Sequence, residues 1–474
     1  MGMLPSGRQT RGRWRLYQIP MRYLIIPFIC CLVACKSEHP ESLDLVISNV
    51  NLIDGTGMPM QTGVSVGIRE GKIMVIDSAL AYTAETEIDG SGKFLIPGLF
   101  DCHVHTNDFA GDFPKYIHYG VTSIFITGGS LCTNEYYAEM RAQGKQDTLP
   151  APMVFHTSQH FTMEGRHPIK TYQGNWVDGK SVFLLRDTLQ IESLVKEVTQ
   201  YPIVGIKLTI EDGPHPPWVE RMPQEFINKV QKEAIKNGTE VYAHVSDNIE
   251  LEMAMDAGIR NLVHWTGIDL DFQRDTVLLD KIYRIRPSFI TTFMIDKGFL
   301  YPVFPEWVET LRREGIFDEA YLAKADEPGN IARAKANMEF WQDYFQKDEV
   351  TLEDIASFQV EDIMVLAENG IRFALGTDSG FFVLPGHSLH EEMQLFELGG
   401  MDQLEIIKMA TLNAAEMLHA QDSLGSIEPG KIANMVLLDR NPLEEISNTL
   451  AISKVIKRGK IQKRIEKQTT ADND

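Results

Sequence analysis

The chain has 474 residues, enough for about two to three domains of ordinary size. With 43% hydrophobic and 23% charged residues it can build a sizeable core, which excludes global disorder. The 45 Lys and Arg against 66 Asp and Glu leave a formal charge of −21, which repels phosphate backbones and argues against nucleic-acid binding.

The first element is an address. Arg8, Arg11, Arg13, Arg15 and Arg22 precede an apolar run over 23–35, and no acid occurs before Glu38. A basic start and an apolar stretch too short to span a bilayer read as a signal peptide over 1–34. The run ends in Leu32-Val33-Ala34-Cys35, which resembles the bacterial lipobox, whose cysteine is acylated and becomes the new N-terminus. On that reading Met1 or Met21 is the start and 35–42 a polar tether. The mature chain then has 40 basic against 66 acidic residues, or −26. So acidic a chain is not drawn to anionic lipid, and the lipid on Cys35 must hold it at the membrane. The expected location is the bacterial cell envelope, outside the cytoplasm, at the outer membrane or periplasmic face. A plain secretory signal and a buried helix are the alternatives. Beyond Cys30, Cys31 and Cys35 only Cys102 and Cys132 remain, too few for a disulfide framework or a thiolate zinc cluster.

From residue 43, short alternating strands over 45–48, 64–69 and 72–76 are broken by Asp54-Gly55-Thr56-Gly57 and Glu70-Gly71. They predict an antiparallel β unit over 43–98. After Pro97-Gly98 the texture changes. Apolar runs at 121–126, 153–156, 204–210, 240–245, 261–264, 290–294 and 372–376 alternate with helix-period segments. In the segment 222–237, Phe226, Val230 and Ala234 share one face and Gly238 is the stop; 249–257 is capped by Ser246 or Asp247. Such alternation predicts an α/β fold of parallel strands with helical crossovers, and about eight units over 99–413 predict a closed, TIM-like (β/α)₈ barrel. A doubly wound open sheet is the alternative, without a GxGxxG or GxxxxGK[ST] phosphate loop to support it. The aromatic-rich segment 297–359 reads as helical, either packing of an enlarged barrel helix or a lid. Strand texture returns at 435–438 and 455–457, so 414–466 is expected to join 43–98 in one small composite β-sandwich. Residues 467–474 are left as a tail.

The chemistry falls at strand ends. His103 and His105, two apart on a strand, point to one face, with Cys102 and Val104 on the other, so Cys102 reads as packing. His244 ends one strand, His264 ends the next, and Asp378 closes Ala374-Leu375-Gly376-Thr377-Asp378. Four imidazoles and a carboxylate at the C-terminal face of a barrel form an N/O-rich nest for a divalent cation. Lys207 ends a strand of the same barrel, where burial beside cations favours its neutral amine. A neutral lysine captures CO₂ as a carbamate, whose two oxygens suit bridging two metals. The plainer alternative pairs Lys207 with an acid at the barrel mouth.

These residues together resemble the amidohydrolase superfamily, closest to its prolidase-like and imidazolonepropionase-related branch. The resemblance runs from Leu43 to about Lys463 and includes Gly376-Thr377-Asp378-Ser379, Ala410-Thr411-Leu412-Asn413-Ala414-Ala415 and Gly425-Ser426-Ile427-Glu428-Pro429-Gly430. It implies two divalent ions, zinc the first choice. His103, His105 and Asp378 would hold the more buried one and His244 and His264 the second, with carboxylated Lys207 as the bridge. Two positions depart from the family pattern: Asn434 replaces an Asp in the sandwich, and Trp265 replaces a Gly after His264.

The reaction so implied is hydrolysis of an amide-type C–N bond, linear or cyclic, in a small-molecule substrate. A metal-bridging hydroxide would attack, and Asp378 would pass its proton to the leaving nitrogen. His160, His167 and His390 follow strands near the expected pocket and are candidates for a substrate carboxylate; Tyr242 reads as a core layer. Esterase or lactonase activity at the same metals and a non-catalytic surface-binding lipoprotein are the other readings. A homo-oligomer is compatible with the sequence.

Overall fold

The computed structural model describes residues 42–79, 82–213, 218–265, 268, 270–378 and 382–466. The signal peptide, Cys35, nearly all of the tether and the tail lie outside the described residues. No helix among the described residues is long and apolar enough to cross a membrane.

Five strands come first: β1 (Ser42–Leu52), β2 (Gln61–Arg69), β3 (Lys72–Asp77), β4 (Thr83–Asp89) and β5 (Phe94–Pro97). β2 pairs antiparallel with β1 and β3, as the alternation predicts. The unit is mixed, however, because β4 and β5 run parallel to β1, pairing with successive halves of that long strand. Then the barrel begins, with no linker beyond Gly98.

β6 (Leu99–Val104), β7 (Val121–Ile126) and β8 (Met153–His156) form one parallel group. The third barrel strand continues after a break as β9 (His160–Thr162), flanked by the short β10 (Val182–Leu184). β11 (Gly205–Thr209), β12 (Glu240–His244), β13 (Asn261–Val263), β14 (Ser288–Ile290) and β15 (Arg372–Ala374) complete the parallel set. Two seams close it. Val204 N–H donates to His156 O and Ser158 N–H to Gly205 O (2.9 and 2.8 Å), and Cys102 N–H donates to Leu375 O (2.9 Å).

Several boundaries move from their predicted places, two of them for a visible reason. The strand expected at 290–294 is Ser288–Ile290, because the buried Glu392 carboxylate accepts from the N–H groups of Phe293 and Met294 (3.1 and 2.6 Å) and starts the helix Met294–Leu300 there. The sandwich segment expected from 414 resumes only at residue 435. Helix Leu412–Met417 instead plugs the barrel floor, where Ala414, Ala415 and Met417 pack with Phe100, Phe125 and Tyr242.

β16 (Met435–Leu438), β17 (Ile452–Lys457) and β18 (Lys460–Ile461) then return to the first sheet, β16 lying antiparallel to β5. The sheet order is β18-β17-β16-β5-β1-β2-β3. Backbone bonds from Ile73 to Lys431 and from Ala433 to Gly71 curl it on itself. Ile47, Val66 and Ile68 thereby face Met435, Leu437 and Ile456 across one core, and the sandwich is built from both ends of the chain. The aromatic segment is helical as expected. Tyr301, Val308, Leu311 and Leu322 pack on Phe382 and Leu384, so it buttresses the residues that lead into helix His387–Leu398.

Candidate metal centre

β6 carries a register irregularity between Asp101 and Val104. The simple alternation expected there therefore fails. Cys102 joins Phe100, Phe125 and Tyr242 inside the barrel, while Val104 turns out toward the helices. The conclusion that Cys102 is packing stands, for a different reason. Tyr242 is fully buried in the same layer and donates its hydroxyl to Met417 O.

Above that layer the side chains become polar. His103 Nε2 and His105 Nε2 are 3.1 Å apart, and Asp378 Oδ1 lies 3.3 and 3.1 Å from them. His264 Nε2 and His244 Nδ1 face each other at 3.1 Å. Remaining ring nitrogens are engaged elsewhere. His105 Nδ1–H donates to Gly128 O (2.7 Å), His264 Nδ1 pairs with the Thr292 hydroxyl (2.9 Å), and the Thr127 hydroxyl sits 3.0 Å from both nitrogens of His103. Such outer partners fix ring orientation and leave one lone pair per imidazole aimed at the centre.

The backbone is bent to achieve this. His264 and Asp378 both adopt left-handed φ, 77° and 64°, at the ends of their strands. Each such residue costs about 1–3 kcal/mol and persists only where surroundings over-determine it. Here His264 N–H is held by Ile290 O (2.9 Å) and Asp378 N–H by His103 O (2.7 Å). Asp101 ties the same corner, accepting from Thr377 N–H (3.0 Å) and the Thr377 hydroxyl (2.7 Å). Gly376 is required by close approach, since a Cβ there would lie 2.8 Å from His103 N.

Electrostatics agree with cation binding. Burial holds His103 neutral, pulling its pKa down to about 3 against the nearby Asp378. Burial opposes ionisation of Asp378, but positive charge shared with His103, His105 and His264 outweighs it and holds its pKa well below the usual range. Lys207, fully buried, has an Nζ without a hydrogen-bond partner, and burial lowers its pKa to about 8. Converging imidazole lone pairs, a carboxylate and an orphaned amine repel or stay unsatisfied by themselves. A divalent cation set satisfies them, and the donors fit it. His103, His105 and Asp378 form one compact ligand group, and His167, Glu211 and His244 form another, each with its ligand atoms within 4.8 Å.

The three proposed substrate histidines divide. His160 lies at the centre: Nδ1 pairs with the Thr209 hydroxyl (3.0 Å), Nε2 has no partner, and its ring stacks 6.5 Å from His105. His167 packs 5.1 Å from the His244 ring, with its pKa pulled to about 3 by burial. His390 does not fit the substrate role. It is buried within helix His387–Leu398, where Nδ1 pairs with the Thr449 hydroxyl and Nε2 with Tyr119 O, both at 2.8 Å. Neither nitrogen is left for a ligand. Trp265 also points away, edge-on to Phe289 and Phe373 in the layer outside the barrel.

Sequence reasoning missed Glu211, Tyr172 and Trp176. Glu211 is 2% exposed, and its Oε2 contacts His244 Nε2 directly. It lies four residues past Lys207 on the same alternating face, a signal the sequence did carry. Tyr172 and Trp176 sit on the excursion between β9 and β10, with their rings edge-on to His167 (4.9 Å) and His160 (5.5 Å). No periodicity marks them.

The chain is 24% identical to ochratoxinase of Aspergillus niger over 90% of this chain and 92% of that protein. It is 24% identical to imidazolonepropionase of Caldanaerobacter subterraneus subsp. tengcongensis, over 82% and 87% respectively. The fold resembles the crystal structure of a Xaa-Pro dipeptidase with bound methionine, at TM-score 0.64 and 22% identity, covering 88% of this chain and 99% of that one. The amidohydrolase family model matches residues 94–462, from β5 through every ligand-bearing strand of the barrel to the far edge of the sandwich. The chain belongs to the amidohydrolase family.

Proposed function

We propose that this metal-dependent hydrolase of carbon–nitrogen bonds cleaves a linear or cyclic amide at two divalent ions, zinc the first choice. The observation that carries the reading is the convergence of His103 Nε2 and His105 Nε2 on Asp378 Oδ1 beside the unpartnered amine of Lys207. His103, His105 and Asp378 would hold one ion and His244 and His264 the other. Lys207 would join them as a carbamate: its neutral amine adds to CO₂, forming the N–C bond and releasing one proton. Bound divalent ions acidify a water and polarise a carbonyl.

The chain's own residues supply the rest. Asp378, ionised beside positive charge, would take the proton of the attacking water and deliver it to the leaving nitrogen. His160 and His167 flank the centre and would orient the substrate. Tyr172, about half exposed, and Trp176 offer aromatic faces for its apolar part. All six ligand positions are present, which supports an enzyme over an idle scaffold. The C–N bond is favoured over an ester by the relatives, two of which are an imidazolonepropionase and a dipeptidase. Acylation of Cys35 would keep the enzyme at the cell envelope, and the lipobox supports that reading. Elemental analysis of the purified protein, followed by a panel of dipeptides, N-acyl amino acids, cyclic amides and lactones, tests it. Two ions and turnover of an amide are expected; one ion, or lactones alone, would overturn it.

A further inference from the structure

His244 presents its two ring nitrogens to two different neighbourhoods. Nδ1 faces His264 Nε2 at 3.1 Å, on the side of Lys207 and Asp378. Nε2 faces away, in direct contact with Glu211 Oε2. His167 Nε2 stands 3.9 Å from that same oxygen, beyond hydrogen-bond reach. Among the described residues no lysine or arginine forms an ion pair with Glu211, although it is almost fully buried. A buried carboxylate without a partner is expensive, so its contact with His244 needs a chemical account.

A neutral imidazole has one lone pair and one N–H. His244 therefore cannot ligate a cation beside His264 through Nδ1 and a second cation beside Glu211 and His167 through Nε2. The cluster of His167, Glu211 and His244 and the centre with His264 compete for the same ring. His264 favours its own centre: with Thr292 accepting its Nδ1–H, its Nε2 lone pair points at His244 Nδ1, and a cation between them satisfies both rings.

We infer that Glu211 is a positioning residue that accepts the Nε2–H of His244, fixing the tautomer whose Nδ1 ligates the second metal ion. Carboxylate, imidazole and cation then stand in line, an arrangement that orients the ring and raises its basicity as a ligand. Thr127, Thr292 and the Gly128 carbonyl serve His103, His264 and His105, and Glu211 is the corresponding partner for His244. This inference rests on the two-ion reading above.

The test compares zinc-loaded wild type with Glu211→Met, which keeps bulk but loses the acceptor, and Glu211→Gln, which keeps an amide oxygen to accept the N–H. Zinc is withdrawn stepwise with a chelator and counted by elemental analysis. Glu211→Met is expected to bind the more weakly held ion about 10–100-fold less tightly while retaining the other, with Glu211→Gln restoring most of the loss. Retention of one ion reports an intact barrel in the same sample. Wild-type affinity for both ions in Glu211→Met overturns the inference. Three ions in the wild type and two in each variant also overturn it, because Glu211 would then be a direct ligand. A wild type with a single ion overturns the two-ion reading and this one with it. Should Glu211→Met not fold, a crystal structure of the zinc-loaded wild type decides: ligation through Nδ1 supports the inference, and ligation through Nε2 with Glu211 alongside overturns it.

Discussion

Asp378 N–H donates to His103 O across 2.7 Å, so the last and first barrel strands are tied backbone to backbone at two residues whose side chains also meet. Barrel closure and site assembly are thus one event. Disturbing either residue's backbone disturbs the ligand geometry directly.

Replacing Asp378 by Asn should lower turnover by about 10²–10⁴-fold while leaving much of the metal bound, because the lost function is proton transfer. Steady-state kinetics with parallel metal analysis check this. Near-normal turnover would remove Asp378 from the proton path.

Carboxylation of Lys207 requires its neutral amine, and that fraction grows as pH rises through about 8. At a fixed concentration of dissolved CO₂, reconstitution of metal-free protein with zinc should therefore be faster at pH 9 than at pH 7. Lys207→Met should fail to load the full complement at either pH. Reconstitution rates independent of pH and CO₂ would argue for an unmodified amine.

A methyl group at Gly376 would press on His103 N and Cβ at 2.8 Å. Gly376→Ala should destabilise the protein by about 1–3 kcal/mol, the usual range for overpacking, and weaken the ion held by His103. Denaturant unfolding and chelator titration measure the two effects. An unchanged midpoint would mean that the strand ends can separate freely.

His390→Phe should leave KM unchanged and cost about 1–3 kcal/mol in stability, since Tyr119 O and the Thr449 hydroxyl lose a buried partner. A raised KM at unchanged stability would return His390 to the substrate site.

Cys35 carries the prediction about location. The native protein should fractionate with membranes and be released by loss of the lipid, and Cys35→Ala should stall unprocessed or appear without lipid. A native chain recovered without lipid, beginning at Met1 or Met21, would remove the anchor.

What the sequence made legible follows from period and position. Alternating apolar runs locate strands, a strand's end in a parallel barrel faces one common mouth, and so the sequence alone places His103, Lys207, His244, His264 and Asp378 together. The misreadings share a different origin. Cys102 faces inward because of a register irregularity in β6, which depends on pairing with β7. The strand before Met294 ends early because Glu392, about a hundred residues away in sequence, captures two amides. His390 follows Asp378 closely in the chain, yet its helix turns it toward Tyr119 O, between the barrel and Thr449. Each depends on a contact between distant segments, and local pattern carries no record of it.

The pairing of β5 with β16 sets a condition on biosynthesis. During synthesis or threading from the N-terminus, β5 emerges with one edge unpaired, and more than three hundred residues follow before its partner arrives. Every ligand-bearing strand emerges within that interval. The open edge is a template for pairing with a second nascent chain, so the interval is when aggregation is most costly. A C-terminal truncation short of Met435, even one that spares every metal ligand, should therefore yield inclusion bodies rather than a smaller enzyme.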